Sequence, residues 1–321
     1  MSRWLSLLCL LLLVFTGCND EDCPDCPGNT GDPLPTLANI WPHADGTGWI
    51  YDLEYRSFDG PEISPEPPPL PTMEELHDAL QQPVGYDEVS LDEGLYRIRF
   101  EGTVTTESGV VGQDLVETFY SPVNGKVSTT SNARDYERRF LHALAHARAD
   151  LRPAIAARLG EELDGVKSLE DARFPYFLGA YAFAYEDTGY YGYGDLNTDH
   201  TWIYLQGDLT VGSEFALQLV PDLANDIWLY GRVWSVSDRE IAGETWPNAL
   251  EAMYVVDLGI QIVTNEMGEE LGSFHSYFYG TTVFAPAVGP IACLERHVLI
   301  GDGVLQEPGT WIEEYRCTIA Q

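Results

Sequence analysis

Positive charge is scarce in this chain. Lys and Arg number 17 against 51 Asp and Glu, a formal net charge of −34 at pH 7. Such a charge argues against DNA, RNA and anionic lipid surfaces as partners, because each rewards basic patches, and no nucleic acid is expected. The same imbalance favours solubility, cation binding or salty surroundings that screen self-repulsion. Catalytic signatures are absent too. There is no Gly-x-Ser-x-Gly, no His-Glu-x-x-His, no phosphate-binding P-loop and no dinucleotide glycine fingerprint after a strand. Core material is not lacking. Hydrophobic residues make up 45% and aromatics 12% of the 321 positions, which excludes general disorder and fits one large or two ordinary domains.

The N-terminus sets the compartment. Arg3 supplies a positive charge, and Leu5 to Phe15 is a nearly unbroken apolar run, too short to span a bilayer comfortably. It reads as the apolar core of a secretory signal, residues 1–17. Phe15-Thr16-Gly17-Cys18 resembles the lipobox of bacterial lipoproteins. That resemblance implies lipidation of Cys18, removal of the peptide before it, and stable anchoring to a membrane through two or three acyl chains. The plain alternative is an ordinary signal peptide with an unrelated cysteine. Residues 18–39 carry Asp20-Glu21-Asp22 and many Pro and Gly, so they read as an acidic tether. An acidic stretch after the lipidated cysteine resembles surface-export signals of some lipoproteins, and Asn19 does not match the enteric inner-membrane retention signal. The expectation is a cell-envelope protein anchored to the outer membrane and facing the periplasm or the exterior.

Six cysteines are present. Cys9 leaves with the signal and Cys18 is the lipid site, which leaves Cys23, Cys26, Cys293 and Cys317 as disulfide candidates outside the cytoplasm. Cys293 and Cys317 fall in the last two candidate strands and could staple them. Cys23-Pro24-Asp25-Cys26 has the spacing of redox and zinc motifs, but it lies in a tether with no fold around it, so a local disulfide or crosslink is the plain reading.

Periodicity gives the elements. The stretch from Trp41 to Phe58 contains a strand after the Gly46–Gly48 turn. Residues 59–71 are a Pro-rich loop, and Thr72 to Gln82 has the Thr/Glu spacing of a capped helix. Leu95 to Thr106 alternates as a half-buried antiparallel strand, and Asn124-Gly125 marks a hairpin between Leu115–Tyr120 and Lys126–Thr130. From Arg134 to Leu159 the period becomes helical, divided or kinked at Pro153 and stopped at Gly160. Leu169 to Tyr185 reads as helix or packed loop, and residues 189–199 as a tyrosine-rich loop. Strands return at 202–206, 215–220, 227–236, 249–263, 275–284, 294–300 and 311–319. In the third of these, Trp228, Tyr230, Arg232 and Trp234 share one face while Ile227, Leu229 and Val233 share the other, so it is expected to be buried on both sides.

Two short signatures recur at nearly equal separation. Gly46-Thr47-Gly48-Trp49-Ile50-Tyr51 is echoed by Gly212-Ser213-Glu214-Phe215-Ala216-Leu217, and Phe119 to Val127 by Val283 to Ile291. A duplicated β module gives such spacing; so does convergent turn chemistry. The Gly-x-x-Trp-x-Tyr start and Phe284-Ala285-Pro286-Ala287-Val288-Gly289 together resemble a broad group of uncharacterised bacterial lipoproteins whose usual late motif has Gly where this chain has Ala287. The resemblance covers about residues 40–60 and 205–300. It implies curved antiparallel sheets, akin to the periplasmic lipoprotein-carrier fold, and brings no catalytic residues.

Three features carry possible chemistry. His142 and His146 lie four apart on the expected helix, so both could face one metal, but no catalytic Glu accompanies them and a solvated pair is the plain reading. Asp195, Asn197 and Asp199 place oxygens at alternate positions as an EF-hand loop begins, yet His200 and Gln206 stand where that loop needs Gly and Glu. A looser Ca2+ site and a capped turn both remain open. Tyr190, Tyr191, Tyr193 and Trp202 head an aromatic-rich stretch whose rings would bind sugars or an apolar ligand on an exposed sheet, or form core on an inner face.

The whole reads as mainly β (α+β): curved antiparallel sheets in two related halves, 40–133 and 188–321, with a helical segment 134–187 between them. The expected function is a membrane-anchored, non-enzymatic lipoprotein binding a hydrophobic or glycan ligand or a protein partner. The rival readings are an extracytoplasmic hydrolase of envelope or extracellular polymers using paired carboxylates, and a purely structural surface lipoprotein.

Overall fold

The computed structural model describes residues 32–60, 69–121, 126–131, 133–160, 177–179, 181–194, 199–264, 270–301 and 309–320. The chain divides into two compact units, Met1–Leu34 and Pro35–Gln321, and the second holds every element named below. The signal peptide, Cys18, Cys23 and Cys26 lie outside the described residues. Among those described, no helix is long and apolar enough to cross a membrane.

The folded unit begins inside the stretch read as tether. A short helix, α1 (Leu37–Ile40), leads Ile40 and Trp41 into the core. Strand β1 (Gly48–Asp59) alternates strictly at first: Trp49, Tyr51, Leu53, Tyr55 and Ser57 are buried, while Ile50 and Asp52 face solvent. The expected capped helix is α2 (Met73–Leu80). The Thr72 hydroxyl accepts from the Glu75 amide at 3.3 Å, and the Glu75 carboxylate accepts from the Thr72 amide at 2.8 Å. Next come β2 (Asp87–Thr105), β3 (Val111–Ser121) and β4 (Lys126–Ser131).

The expected long helix is divided as Pro153 requires. Helix α3 (Ala133–Ala147) gives way to a 3-10 turn at Ala149–Leu151, and α4 (Arg152–Leu159) restarts with the proline in its first turn, where a missing N–H costs nothing. Gly160 ends it in the left-handed conformation at φ 66°.

Two expectations are corrected in part just beyond; residues 169–176 of the first stretch and 195–198 of the second lie outside the described residues. The stretch read as helix or packed loop ends in a strand, β5 (Ala182–Glu186), and the tyrosine-rich loop begins with another, β6 (Gly189–Tyr193), the two forming a hairpin. Both Tyr190 and Tyr191 are buried, so this strand lacks the alternation that reveals a half-buried strand. The remaining strands are β7 (Trp202–Gln206), β8 (Glu214–Gln218), β9 (Trp228–Ile241), β10 (Glu244–Thr264), β11 (Glu270–Ala285), β12 (Gly289–Gly301) and β13 (Gly309–Ile319).

One mainly antiparallel sheet runs in the order β7-β6-β5-β3-β2-β1-β13-β12-β11-β10-β9-β8, with β4 paired to β3 beside this path. Its two end strands, β7 and β8, approach one another, so the sheet curls into a nearly closed barrel. The last strand, β13, pairs with β1 on one side and β12 on the other, and thereby joins the first strand of the sheet to its last hairpin.

The recurrent signatures do not correspond to a repeated strand order. From Gly46 the chain passes through β1, β2 and β3 to a hairpin with β4; from Gly212 it passes through β8, β9, β10 and β11 to the turn before β12. Turn chemistry accounts for the shared glycine at the second site. Gly289 sits at φ 96°, and a Cβ there would lie 2.8 Å from the Trp49 ring.

Both faces of the sheet are covered in part. Inner-face side chains join residues of α3 and α4, including Leu141, Leu144 and Ile155, in one large cluster. On the outside, Leu76 and Leu80 of α2 cover Met253, Val255, Tyr277, Tyr279, Val298 and Ile300. This explains why Ala252 to Val256 of β10 and Tyr277 to Tyr279 of β11 are apolar on both faces. For β9 the expectation needs correction. Leu229 and Val233 are fully buried on the inner face, but Tyr230 on the other is 43% exposed, because α2 reaches only as far as Trp234.

Candidate functional site

The barrel interior is where a ligand or a catalytic pair would sit, and Trp41 packs into its core beside the start of β1 and the turn between β11 and β12. This ring is 1% exposed and meets five others: Phe183 and Tyr204 at 5.1 Å between centroids, Phe284 at 5.5 Å, Tyr190 at 5.9 Å and Trp49 at 6.1 Å. Hydrogen bonds fix several of the rings. Trp49 Nε1 donates to the Val288 carbonyl at 2.6 Å, Tyr51 Oη donates to that of Pro290 at 2.8 Å, and Tyr254 Oη donates to that of Tyr204. Burial holds the Tyr51, Tyr96, Tyr204 and Tyr254 phenols well above their ordinary pKa, so all are neutral donors.

A polar chain runs through the same inner face. Glu295 and His297 lie two apart on β12, opposite Tyr315 and Glu313 of β13. His297 sits between the two carboxylates, with Nε2 against Glu295 Oε1 and Nδ1 3.8 Å from Glu313 Oε2. Glu295 also accepts from the Phe177 amide at 3.0 Å, while Glu313 accepts from Tyr55 at 3.0 Å and Tyr315 at 3.2 Å. A third buried carboxylate, Glu117 of β3, pairs with Arg139 of α3 and accepts from Tyr96 at 2.9 Å. Every charge here has an opposite charge or a hydrogen-bond donor beside it, as burial demands. Sequence reasoning missed this chain. The signal available was Glu295 and His297 in phase with Cys293 on a strand whose other face carries Leu294, Val298 and Ile300 with Arg296 among them.

The pair Glu295/Glu313 is not an open acid–base pair. Glu295 is fully buried, both its oxygens are engaged, and an imidazole occupies the space between the carboxylates. A polymer hydrolase needs room there for a substrate bond or an attacking water.

The other sequence candidates are distributed as follows. Tyr190, Tyr191 and Trp202 are at most 1% exposed and belong to the core, and Tyr193, half-buried, donates to Glu186 at 2.6 Å; they offer no exposed stacking platform. Asp195 and Asn197 lie outside the described residues, and Asp199 is exposed. Among the described residues, no three His, Cys, Asp or Glu side chains cluster as metal ligands would. His142 is half-buried on α3, and the side chain of His146 lies outside the description. Cys293 and Cys317 are buried thiols directly opposite each other on β12 and β13.

No family model and no curated protein matches the sequence. Among solved structures, the chain is similar to an inferred lipoprotein of Parabacteroides distasonis, at 9% identity and a TM-score of 0.27 over 88% of this chain and 97% of that one. It is also similar to an inferred exported protein with a YmcC-like fold from Bacteroides fragilis, at 9% identity and a TM-score of 0.26 over 86% and 97%. Likeness at this level carries no functional assignment.

Proposed function

We propose that the chain is a bacterial envelope lipoprotein of non-enzymatic type, acylated at Cys18, held on the outer membrane and acting by binding a protein partner on its outer surface. The observation that carries the choice of partner is the large cluster of side chains packed on the inner face. The five rings around Trp41 and the buried residues of α3 and α4 pack together on the face against which a lipid or glycan carrier would hold its cargo. The bridged state of Glu295 and Glu313 weighs against the hydrolase in the same way. Outside, Ile50 (49% exposed), Val89 (58%), Leu91 (44%) and Leu95 (42%) lie on the neighbouring strands β1 and β2, interspersed with Asp52, Glu54, Arg56, Glu93 and Arg97, a mixed apolar and charged surface for a protein partner to cover.

The anchoring half of the reading rests on the apolar run and Phe15-Thr16-Gly17-Cys18. Fractionation of cells making the Cys18→Ser chain tests it. The unchanged protein is expected in the membrane fraction and the variant in the soluble extracytoplasmic fraction; a variant that stays with the membrane would remove the lipid anchor.

A further inference from the structure

We infer that Cys293 and Cys317 form a disulfide, set before the barrel closes, which locks β13 in its place between β1 and β12. The inference rests on the export reading above for its oxidising surroundings. Three observations carry it. The two residues are register partners on adjacent antiparallel strands. Directly opposed residues in such a ladder have Cα atoms ~4.5–5.5 Å apart, inside the ~4.4–6.8 Å that a disulfide spans. Both side chains lie on the inner face among Tyr51, Tyr96 and Leu53, at 3% and 0% exposure, so neither thiol can meet a partner protein or a soluble oxidant once the fold is complete.

The position explains what the bond would do. Strand β13 joins the sheet to β1 through Tyr51–Asp59 and to β12 through Ala292–Gly301, so its register holds the N-terminal and C-terminal strands together. A covalent link at the Cys293/Cys317 rung fixes that register, because a slip by one residue would turn the strand's inner side chains outward. It also shortens the unfolded chain's freedom over the connection between β12 and β13.

The chemistry sets the order of events. A thiolate of one cysteine attacks a disulfide of an extracytoplasmic oxidoreductase, giving a mixed disulfide. The second cysteine displaces it, so the two thiols lose two protons and two electrons and the oxidant leaves as a dithiol. Thiolate is required at both stages. In the finished fold, burial pushes the Cys317 thiol far up, with the neighbouring Cys293 adding to the effect, so the native pair exchanges slowly in either direction. Oxidation therefore belongs to the interval between export and closure, and reduction requires unfolding.

The test uses the full chain purified from the envelope of its own host, unfolded in urea with an alkylating reagent present and no reductant, then digested and mass-mapped. The expected result is one peptide pair joined through Cys293 and Cys317, with neither cysteine alkylated. In the native protein, dithiothreitol is expected to leave the pair joined, and after unfolding and reduction the urea midpoint of the refolded reduced form should fall below that of the oxidised form. Alkylation of both residues in protein that fractionates with the envelope would overturn the inference, as would a bridge from either one to Cys23 or Cys26. Protein that does not reach the envelope would instead overturn the export reading. In that case refolding the purified chain in a glutathione redox buffer still decides the pairing: equal alkylation of both residues after refolding counts against it.

Discussion

Replacing Trp41 by alanine is expected to cost about 3–5 kcal/mol of unfolding free energy, the loss for a large buried aromatic ring whose site cannot collapse. Trp41 stands at the end of α1, outside the strands, and five rings from β1, β5, β6, β7 and β11 converge on it. Removing it leaves a void bordered by side chains that are pinned to backbone carbonyls, including Trp49 and Tyr190. Among the described residues its Nε1 has no hydrogen-bond partner, so Trp41→Phe forfeits volume but no hydrogen bond and should cost much less. Tyr230→Ala, at a ring 43% exposed, serves as the control and should stay within about 0.5 kcal/mol of the parent. Urea unfolding of the three variants measures the series. A Trp41→Ala loss no larger than that of Tyr230→Ala would mean that the interior is not packed around this residue.

Alkaline pH is the second large lever. Four phenols, Tyr51, Tyr96, Tyr204 and Tyr254, are buried and held above their ordinary pKa chiefly by that burial. A raised pKa in the folded state means that the fold favours the protonated form. The stability this contributes is fully present below the unfolded tyrosine value near pH ~10 and is lost as pH climbs above it. Each group that must ionise on unfolding withdraws ~1.4 kcal/mol per pH unit, so four together withdraw about 5 kcal/mol per unit. Against a total of ~5–15 kcal/mol, the barrel should open within a few pH units above ~10. Tyrosinate absorbance and far-ultraviolet circular dichroism followed together on raising pH measure this. A steep, simultaneous change in both is expected. Gradual ionisation of the whole tyrosine complement with the β signal retained would contradict the burial described here.

Much of the fold was legible because most strands are half-buried. Trp49, Tyr51, Leu53 and Tyr55 alternate with solvent-facing residues, and Pro153 and Gly160 mark helix boundaries by backbone chemistry alone. The hairpin of β5 and β6 was not legible, since Tyr190 and Tyr191 are buried in succession and period-two patterning vanishes when both faces are covered. The same rule misplaced the aromatic face of β9: Tyr230 and Leu229 look equally apolar in sequence, and only the reach of α2 decides which is covered. The Glu295–His297–Glu313 chain depends on register between β12 and β13, which no single strand's sequence contains. Tyr190, Tyr191 and Trp202 suggested a binding surface because aromatic composition is the same for a stacking platform and a core; topology places them inside.

The inner face of the barrel packs its own side chains, and on the function proposed above binding is expected at the outer surface. Native mass spectrometry of the Cys18→Ser chain, recovered from its own host without denaturation, tests this most directly. The bare polypeptide mass is the predicted result. A lipid or glycan adduct that survives purification and is lost only on unfolding would contradict it, and would mean that the interior opens to receive a ligand.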